Sequence, residues 1–348
     1  MQKRVFGLLT AAMAMAAVFM ACGGNNSSQP DESGGSGVPA NVYVVGVETD
    51  SGGRLINKLW NNGQEQPVTA ASSDMLPLSV FVSGNDIYVA GVDNASGRMN
   101  ATVWKNGDPT RLSRSEAPMA TASSVFVAGN DVYVAGFERD NDTFYPKLWK
   151  NGAEVRLGGA ETFGVANDVF VSGQDVYVAG AIVNQEENTV AAYWKNGELA
   201  GLGDGRDPLS TALSIRVSGG DVYVAGRVEN QSGRKLAALW KNGVRQILSN
   251  QSFDSSAESV FVSGGDAYAA GTQGTSATLW KNGAPQFLTN PNQWGLAASV
   301  YVSGDDVYVA GTEIDSRNME TAVLWKNGVP IRLGAPQLQA RTYSVFVK

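Results

Sequence analysis

The chain has 348 residues, 17% of them charged, with 41 glycines, one cysteine, no histidine and a net charge of −7. The absence of histidine removes His-based triads, imidazole metal sites and the commonest general base near neutral pH. An acidic chain without a basic cluster is not built to hold nucleic acid or an anionic lipid surface by charge, and one cysteine leaves no disulfide to stabilise the fold.

Lys3 and Arg4 precede an apolar stretch, residues 5–20, that is short for a spanning helix and has the layout of an export signal. It ends in Phe19-Met20-Ala21-Cys22, which resembles the lipobox of bacterial lipoproteins, with Phe19 where leucine is usual. The resemblance implies a signal peptide over 1–21 and lipidation of Cys22, which also withdraws the only thiol from nucleophilic or metal chemistry. Residues 22–40 are rich in Gly, Ser, Asn and Pro and bury too little apolar surface to order themselves. They read as a flexible tether with a reach of about 23 Å.

From residue 41 the chain repeats. Trp60, Trp104, Trp149, Trp194, Trp240, Trp280 and Trp325 recur at intervals of 40 to 46 residues. The first is followed by Asn61-Asn62-Gly63 and the others by Lys-Asn-Gly, as in Trp104-Lys105-Asn106-Gly107. Asn-Gly between alternating apolar runs predicts a tight hairpin, because its turn needs two residues with positive φ. A second hairpin lies upstream: residues 79–91 form two alternating runs around a Gly84-Asn85 turn, and the pattern returns at 124–136, 168–180, 214–226, 259–271 and 299–311. Each period therefore holds four strands: A (Ser-Val-Phe-Val), B (Asp-Val-Tyr-Val-Ala-Gly), C (ending Leu-Trp-Lys) and D (the Arg111-Leu112 type). Repeats of this length and content predict an all-β, seven-bladed β-propeller over 41–348. The first period starts at strand B (residues 42–46), and the chain ends in a strand A (Ser344-Val345-Phe346-Val347). The C-terminal strand is thus expected to complete the first blade and close the ring, covering edges that an open array would expose.

With its Trp-Lys-Asn-Gly repeats, the chain resembles β-propeller lipoproteins of bacterial envelopes over 41–348. The repeat carries neither the Asp-box of sialidases nor the Trp-Asp ending of WD40 blades. The resemblance implies a fold and an address in the envelope. Gly23 and Gly24 after Cys22 carry no inner-membrane retention cue, which favours the outer membrane.

Strand order groups the loops. The A–B and C–D turns share one face and are nearly constant, whereas the B–C and D–A loops share the other and vary in length and content. Variation on a rigid frame is what a binding face looks like, and it is equally what drift in unconstrained loops produces. The second residue after the strand-B glycine reads Glu313, Glu48, Asp93 and Glu138 in four consecutive blades, an acidic arc suited to a cation or basic partner. Trp294, the one tryptophan off the repeat, and Phe144 and Tyr145 are candidate aromatic anchors. Met119, Phe163 and Leu209 hold the place of Trp294 in other blades, so a routine apolar plug is the alternative there. Arg216 replaces the strand-A phenylalanine in one blade, either paired in a blade gap or facing the channel. The aspartates that open strand B (Asp86, Asp131, Asp175, Asp221, Asp266, Asp306) face the lysine of strand C and read as structural ion pairs or turn caps. No cofactor is expected apart from calcium, for which Asp140, Asp142, Asp204 and Asp207 supply loosely spaced oxygens.

The function expected from these residues is that of a monomeric, lipid-anchored, non-catalytic binding scaffold. Its variable loops would meet an envelope protein or a polysaccharide. Two other readings stay open: a glycan-active enzyme using two carboxylates such as Glu48 and Glu138 across the channel mouth, and a lectin-like or solute-binding propeller with a weak site in every blade.

Overall fold

The computed structural model of the protein describes residues 41–68, 75–95, 97–158, 162–202, 209–290 and 293–348. Signal peptide, Cys22, tether, Asp204 and Asp207 lie outside the described residues. Strands β1 (Val42–Thr49), β2 (Leu55–Asn61) and β3 (Gln64–Gln66) begin the first blade. The second holds β4 (Met75–Ser83), β5 (Asp86–Asp93), β6 (Asn100–Lys105) and β7 (Asp108–Arg111). The third holds β8 (Met119–Ala128), β9 (Asp131–Asp140), β10 (Thr143–Lys150) and β11 (Ala153–Val155). The fourth holds β12 (Gly164–Ser172), β13 (Asp175–Val183), β14 (Thr189–Lys195) and β15 (Glu198–Gly201). The fifth holds β16 (Ser210–Ser218), β17 (Asp221–Glu229), β18 (Lys235–Lys241) and β19 (Val244–Ile247). The sixth holds β20 (Ser255–Ser263), β21 (Asp266–Gln273), β22 (Ser276–Lys281) and β23 (Ala284–Phe287). The seventh holds β24 (Trp294–Ser303), β25 (Asp306–Ile314), β26 (Glu320–Lys326) and β27 (Val329–Leu333). The last strand, β28 (Ala340–Val347), pairs with β1 and supplies strand A of the first blade.

The ring is closed as the sequence predicts. Ser344 faces Val45, Val345 faces Val44, Phe346 faces Tyr43 and Val347 faces Val42. The Lys348 N–H adds a bond to the Asn41 carbonyl at 3.0 Å. The Asn-Gly turns have the backbone that their residues favour, with φ of 50° and 89° at Asn106 and Gly107. The seven repeat tryptophans are all fully buried. Each fills the gap toward the preceding blade: Trp149 packs on Ala101, Val103 and Leu112, and Trp60 packs on Ala322, Leu324 and Leu333 across the closure. Truncating one such side chain costs about 3–5 kcal/mol, and this burial carries the fold in a chain with a lone cysteine.

One irregularity recurs in every blade. Strand A bulges against strand B between Pro77 and Ser79, and likewise between 122 and 124, 166 and 168, 212 and 214, 257 and 259, and 297 and 299. In β28 the register shifts between Thr342 and Ser344. The strand-B glycine explains the bulge. A Cβ at Gly91 would lie 2.0 Å from the Leu76 carbonyl oxygen, and at Gly226 equally close to that of Thr211. Only glycine lets the bulged backbone approach so closely. The extra residue is left unpaired and re-aimed, here at the propeller axis.

Candidate functional site

Strand A of each blade lines the axis, and its residues stack into three rings. Nearest the constant turns is an aromatic ring: Phe261, Tyr301, Phe346, Phe81, Phe126 and Phe170 touch in sequence, with centroids 4.5–5.2 Å apart. Arg216 takes the seventh place, its guanidinium 5.4 Å from the Phe170 centroid.

Above it lies a ring of hydroxyls. Each Ser Oγ accepts the backbone N–H of the next blade's strand A: Val80 donates to Ser344, Val125 to Ser79, Val169 to Ser124, Val260 to Ser214, Val300 to Ser259 and Val345 to Ser299, all at 3.2–3.4 Å. The fourth blade carries Asp168 instead. Its Oδ2 accepts the Ile215 N–H at 2.9 Å and the Ser214 hydroxyl at 3.0 Å, and its Oδ1 accepts the Ser124 hydroxyl at 2.7 Å. Oδ2 also takes the Arg216 Nη1 at 2.8 Å. The two departures from the repeat therefore form one ion pair, and Arg216 both lines the axis and is paired. Its Nη1 donates to the Ile215 carbonyl as well, while Nε and Nη2 have no hydrogen-bond partner among the described residues. Burial raises the Tyr301 phenol pKa, and the nearby Arg216 charge partly offsets this.

The third ring is formed by the bulge residues: Leu78, Ser123, Asn167, Leu213, Glu258, Ala298 and Tyr343. It is the most varied position in an otherwise constant strand. The Asn167 amide donates to the Ala212 carbonyl at 2.8 Å, whereas Glu258 makes no hydrogen bond or ion pair with the described residues. Burial pushes the Tyr343 phenol up to about 12. The three rings enclose an axial cavity of about 370 Å3. The bulge residues stand on the side of the B–C and D–A loops, and the aromatic ring forms the floor.

The acidic arc is not the open surface expected of it. Glu48 is 5% exposed, Glu138 0% and Glu313 8%. The Glu48 carboxylate meets Lys58 at 3.0 Å and accepts the Ala335 N–H at 2.8 Å. Glu138 meets Lys147 at 3.5 Å and the Arg114 side chain at 2.7 Å, and accepts the Arg114 N–H at 2.8 Å. In the sixth blade Gln273 occupies the same position and accepts the Asn250 N–H at 3.4 Å. The position therefore staples a strand to the D–A loop of the preceding blade. Neither Glu48 nor Glu138 lines the axial cavity, so the two do not face each other across it. Asp93 caps its own loop by accepting the Ala95 N–H at 2.9 Å. Glu313 has no ion-pair partner among the described residues.

Among the aromatic candidates, Phe144 is 4% exposed and packs edge-on against Phe137, so it belongs to the core. Tyr145 is half-buried and lines a second cavity of about 390 Å3 with Lys147, Glu154 and Arg156. Trp294 is 61% exposed. It is one of four exposed apolar side chains, with Phe163, Leu209 and Phe253, that stand where four consecutive blades enter strand A. Met119 at the matching place in the third blade is buried. Asp142 pairs with Arg139 at 2.7 Å in the hairpin turn that also holds Asp140. Among the described residues no three His, Cys, Asp or Glu side chains cluster closely enough to hold a metal ion.

The variable B–C loops are less free than their sequences suggest. At residues 50–54, 184–188, 230–234 and 315–319 the same five-residue turn forms, with the first side chain (Asp50, Asn184, Asn230, Asp315) accepting the N–H groups two and four residues on. The constant face behaves as its sequence predicts: Asp86, Asp131, Asp175, Asp221, Asp266 and Asp306 each meet the strand-C lysine at 2.7–3.0 Å. That lysine, with the turn asparagine, holds each carboxyl below its ordinary pKa.

No protein-family model matches this chain, and no curated protein does. Solved structures do. The β-propeller domain of the Trilobed protease from Pyrococcus furiosus, described as having an open velcro topology, aligns with a TM-score of 0.56 at 10% identity over 85% of this chain and 92% of that one. Pyrococcus horikoshii acylaminoacyl peptidase aligns with a TM-score of 0.53 at 13% identity over 85% of this chain and 51% of that one. A puromycin-hydrolyzing peptidase of Mycobacterium tuberculosis aligns with a TM-score of 0.49 at 12% identity over 78% of this chain and 48% of that one. The chain thus spans about half the length of these two peptidases. At such identities the likeness defines the class, a β-propeller. Within that class, this protein is a seven-bladed ring whose last strand completes the first blade.

Proposed function

We propose that this protein is a non-catalytic binding propeller, held at the bacterial envelope by a lipid on Cys22, whose ligand enters the axial cavity from the B–C and D–A loop face. The outer membrane is the favoured address, and a soluble envelope component is the favoured ligand. The carrying observation is the axial cavity itself. Six kinds of side chain at seven positions crown it, while the strands that hold them repeat almost without change. A volume of about 370 Å3 falls in the range of small-molecule sites, which combine apolar walls with a few placed polar groups. The exposed Trp294, Phe163, Leu209 and Phe253 side chains lie where strand A begins on the same loop face and suit an apolar part of the ligand's carrier.

A thermal-shift panel of neutral oligosaccharides, short peptides and amino acids tests this reading, because a ligand that binds the folded state raises its melting point by mass action. Leu213→Trp fills the cavity mouth and serves as the blocked control. Stabilisation by a panel member that is lost in Leu213→Trp supports the axial site. Equal stabilisation of the parent and Leu213→Trp contradicts it.

A further inference from the structure

Three charged groups line the axial cavity, Asp168, Arg216 and Glu258, and the last two, on neighbouring strands, have capacity left over. Arg216 on β16 is fixed by Asp168 through Nη1 alone, and its Nε and Nη2 have no hydrogen-bond partner among the described residues. Glu258 sits at the bulge of β20, the next strand round the axis, and its carboxylate is half-buried without any partner among the described residues. The two do not pair with each other, although both border one cavity.

The Arg216 charge is met by Asp168, so the charge left uncompensated is that of Glu258, beside guanidinium donors that have room for a further acceptor. A half-buried charge of this kind is costly unless a ligand answers it. The Asp168 carboxylate draws the guanidinium up from the aromatic ring to the hydroxyl ring, so both charges lie above the floor. Around them the wall is mixed: Leu78, Leu213 and Ala298 supply apolar contacts in a bulge ring that also holds Ser123 and Asn167, and the aromatic ring lies beneath.

Resting on the axial-site reading above, we infer that the ligand is a small zwitterion of the α-amino-acid class with an apolar side chain. Its carboxylate is held by the free donors of Arg216, its ammonium by Glu258, and its side chain by the leucines and the aromatic floor. The guanidinium fork suits a carboxylate, and both contacts are charge-assisted. A neutral sugar would leave the Glu258 charge unanswered, a carboxylic acid would leave it too, and a simple amine would leave the spare Arg216 donors without an acceptor.

Calorimetry on the protein with L-leucine, L-leucinamide and N-acetyl-L-leucine tests the inference, since the second probe lacks the carboxylate and the third lacks the ammonium. L-Leucine is expected to bind at least about tenfold more tightly than either. Glu258→Gln is expected to abolish the preference over N-acetyl-L-leucine. The double variant Asp168→Ser with Arg216→Phe restores the residues that most other blades carry at these places, so the ring is kept, and it is expected to abolish the preference over L-leucinamide. Equal binding of the three probes, or no binding of L-leucine and L-phenylalanine, overturns the zwitterion. A neutral panel ligand that binds the parent but not Leu213→Trp would overturn it too, while leaving the axial site standing. A ligand indifferent to Leu213→Trp would remove the axial site itself.

Discussion

The two halves of this ring depart from the repeat in different ways. On one side, Glu48 and Glu138 put charge at a position that three blades leave uncharged, but each is buried and answered by a lysine of its own blade and by a backbone N–H of the loop that joins it to the preceding blade. On the other, Asp168, Arg216 and Glu258 break it around the axis, where donors of Arg216 and the carboxylate of Glu258 are left over. Both look alike as deviations in sequence. They differ in whether the surrounding structure consumes the new charge. A departure that is internally satisfied serves the fold, and one that leaves charge facing a cavity is available to a ligand.

The contrast can be broken at several points. Deleting residues 344–348 removes most of the pairing between β28 and β1 and exposes the first blade as an open edge. A fall in melting temperature of about 10 °C or more, with aggregation, is expected in calorimetry. Glu138→Ala strips a fully buried carboxylate from Lys147 and from the Arg114 N–H. Breaking a buried pair in this way costs about 3–5 kcal/mol, to be read from urea denaturation, whereas Glu258→Ala on the axis is expected to cost almost nothing. Gly226→Ala drives a Cβ into the Thr211 carbonyl. A loss of about 1–3 kcal/mol is expected, together with loss of ligand stabilisation, because the bulge that presents Leu213 is displaced.

The smallest expected effect is on the alkaline side. Burial pushes the Tyr343 phenol up to about 12 against an ordinary value of 10.0. Between those values the unfolded chain releases the proton while the folded chain keeps it, so stability falls as pH rises through this window. Tyr343→Phe is expected to flatten that part of the pH–stability curve, and an unchanged slope would place the titration elsewhere.

The ring was legible because its determinants are local. Asn-Gly turns, alternating runs and the Trp spacing each act within a few residues, and the split first blade follows from counting strands. The Asp–Lys pairs of the constant face were legible for the same reason, since they sit across one hairpin. The fate of Glu48 and Glu138 was not, because half of it depends on N–H groups from the neighbouring blade. Phe144 looked like an exposed anchor in a loop, yet it lies on a strand and points inward. The bulge ring has a signal in the sequence too: a glycine at one place in every strand B marks a close backbone approach, and the residue that varies is the unpaired one just after the glycine's strand-A partner. Arg216 was visible as an anomaly, and its pairing with Asp168 joins two blades 48 residues apart.

Saturation stoichiometry gives the most direct test of a single axial site. Native mass spectrometry of the protein with whichever panel ligand stabilises it counts bound molecules per chain. One ligand per chain is expected, because the cavity lies on the axis and Arg216 and Glu258 each occur there once. A count rising toward the number of blades would mean that every blade carries its own site, and the axial account would be wrong.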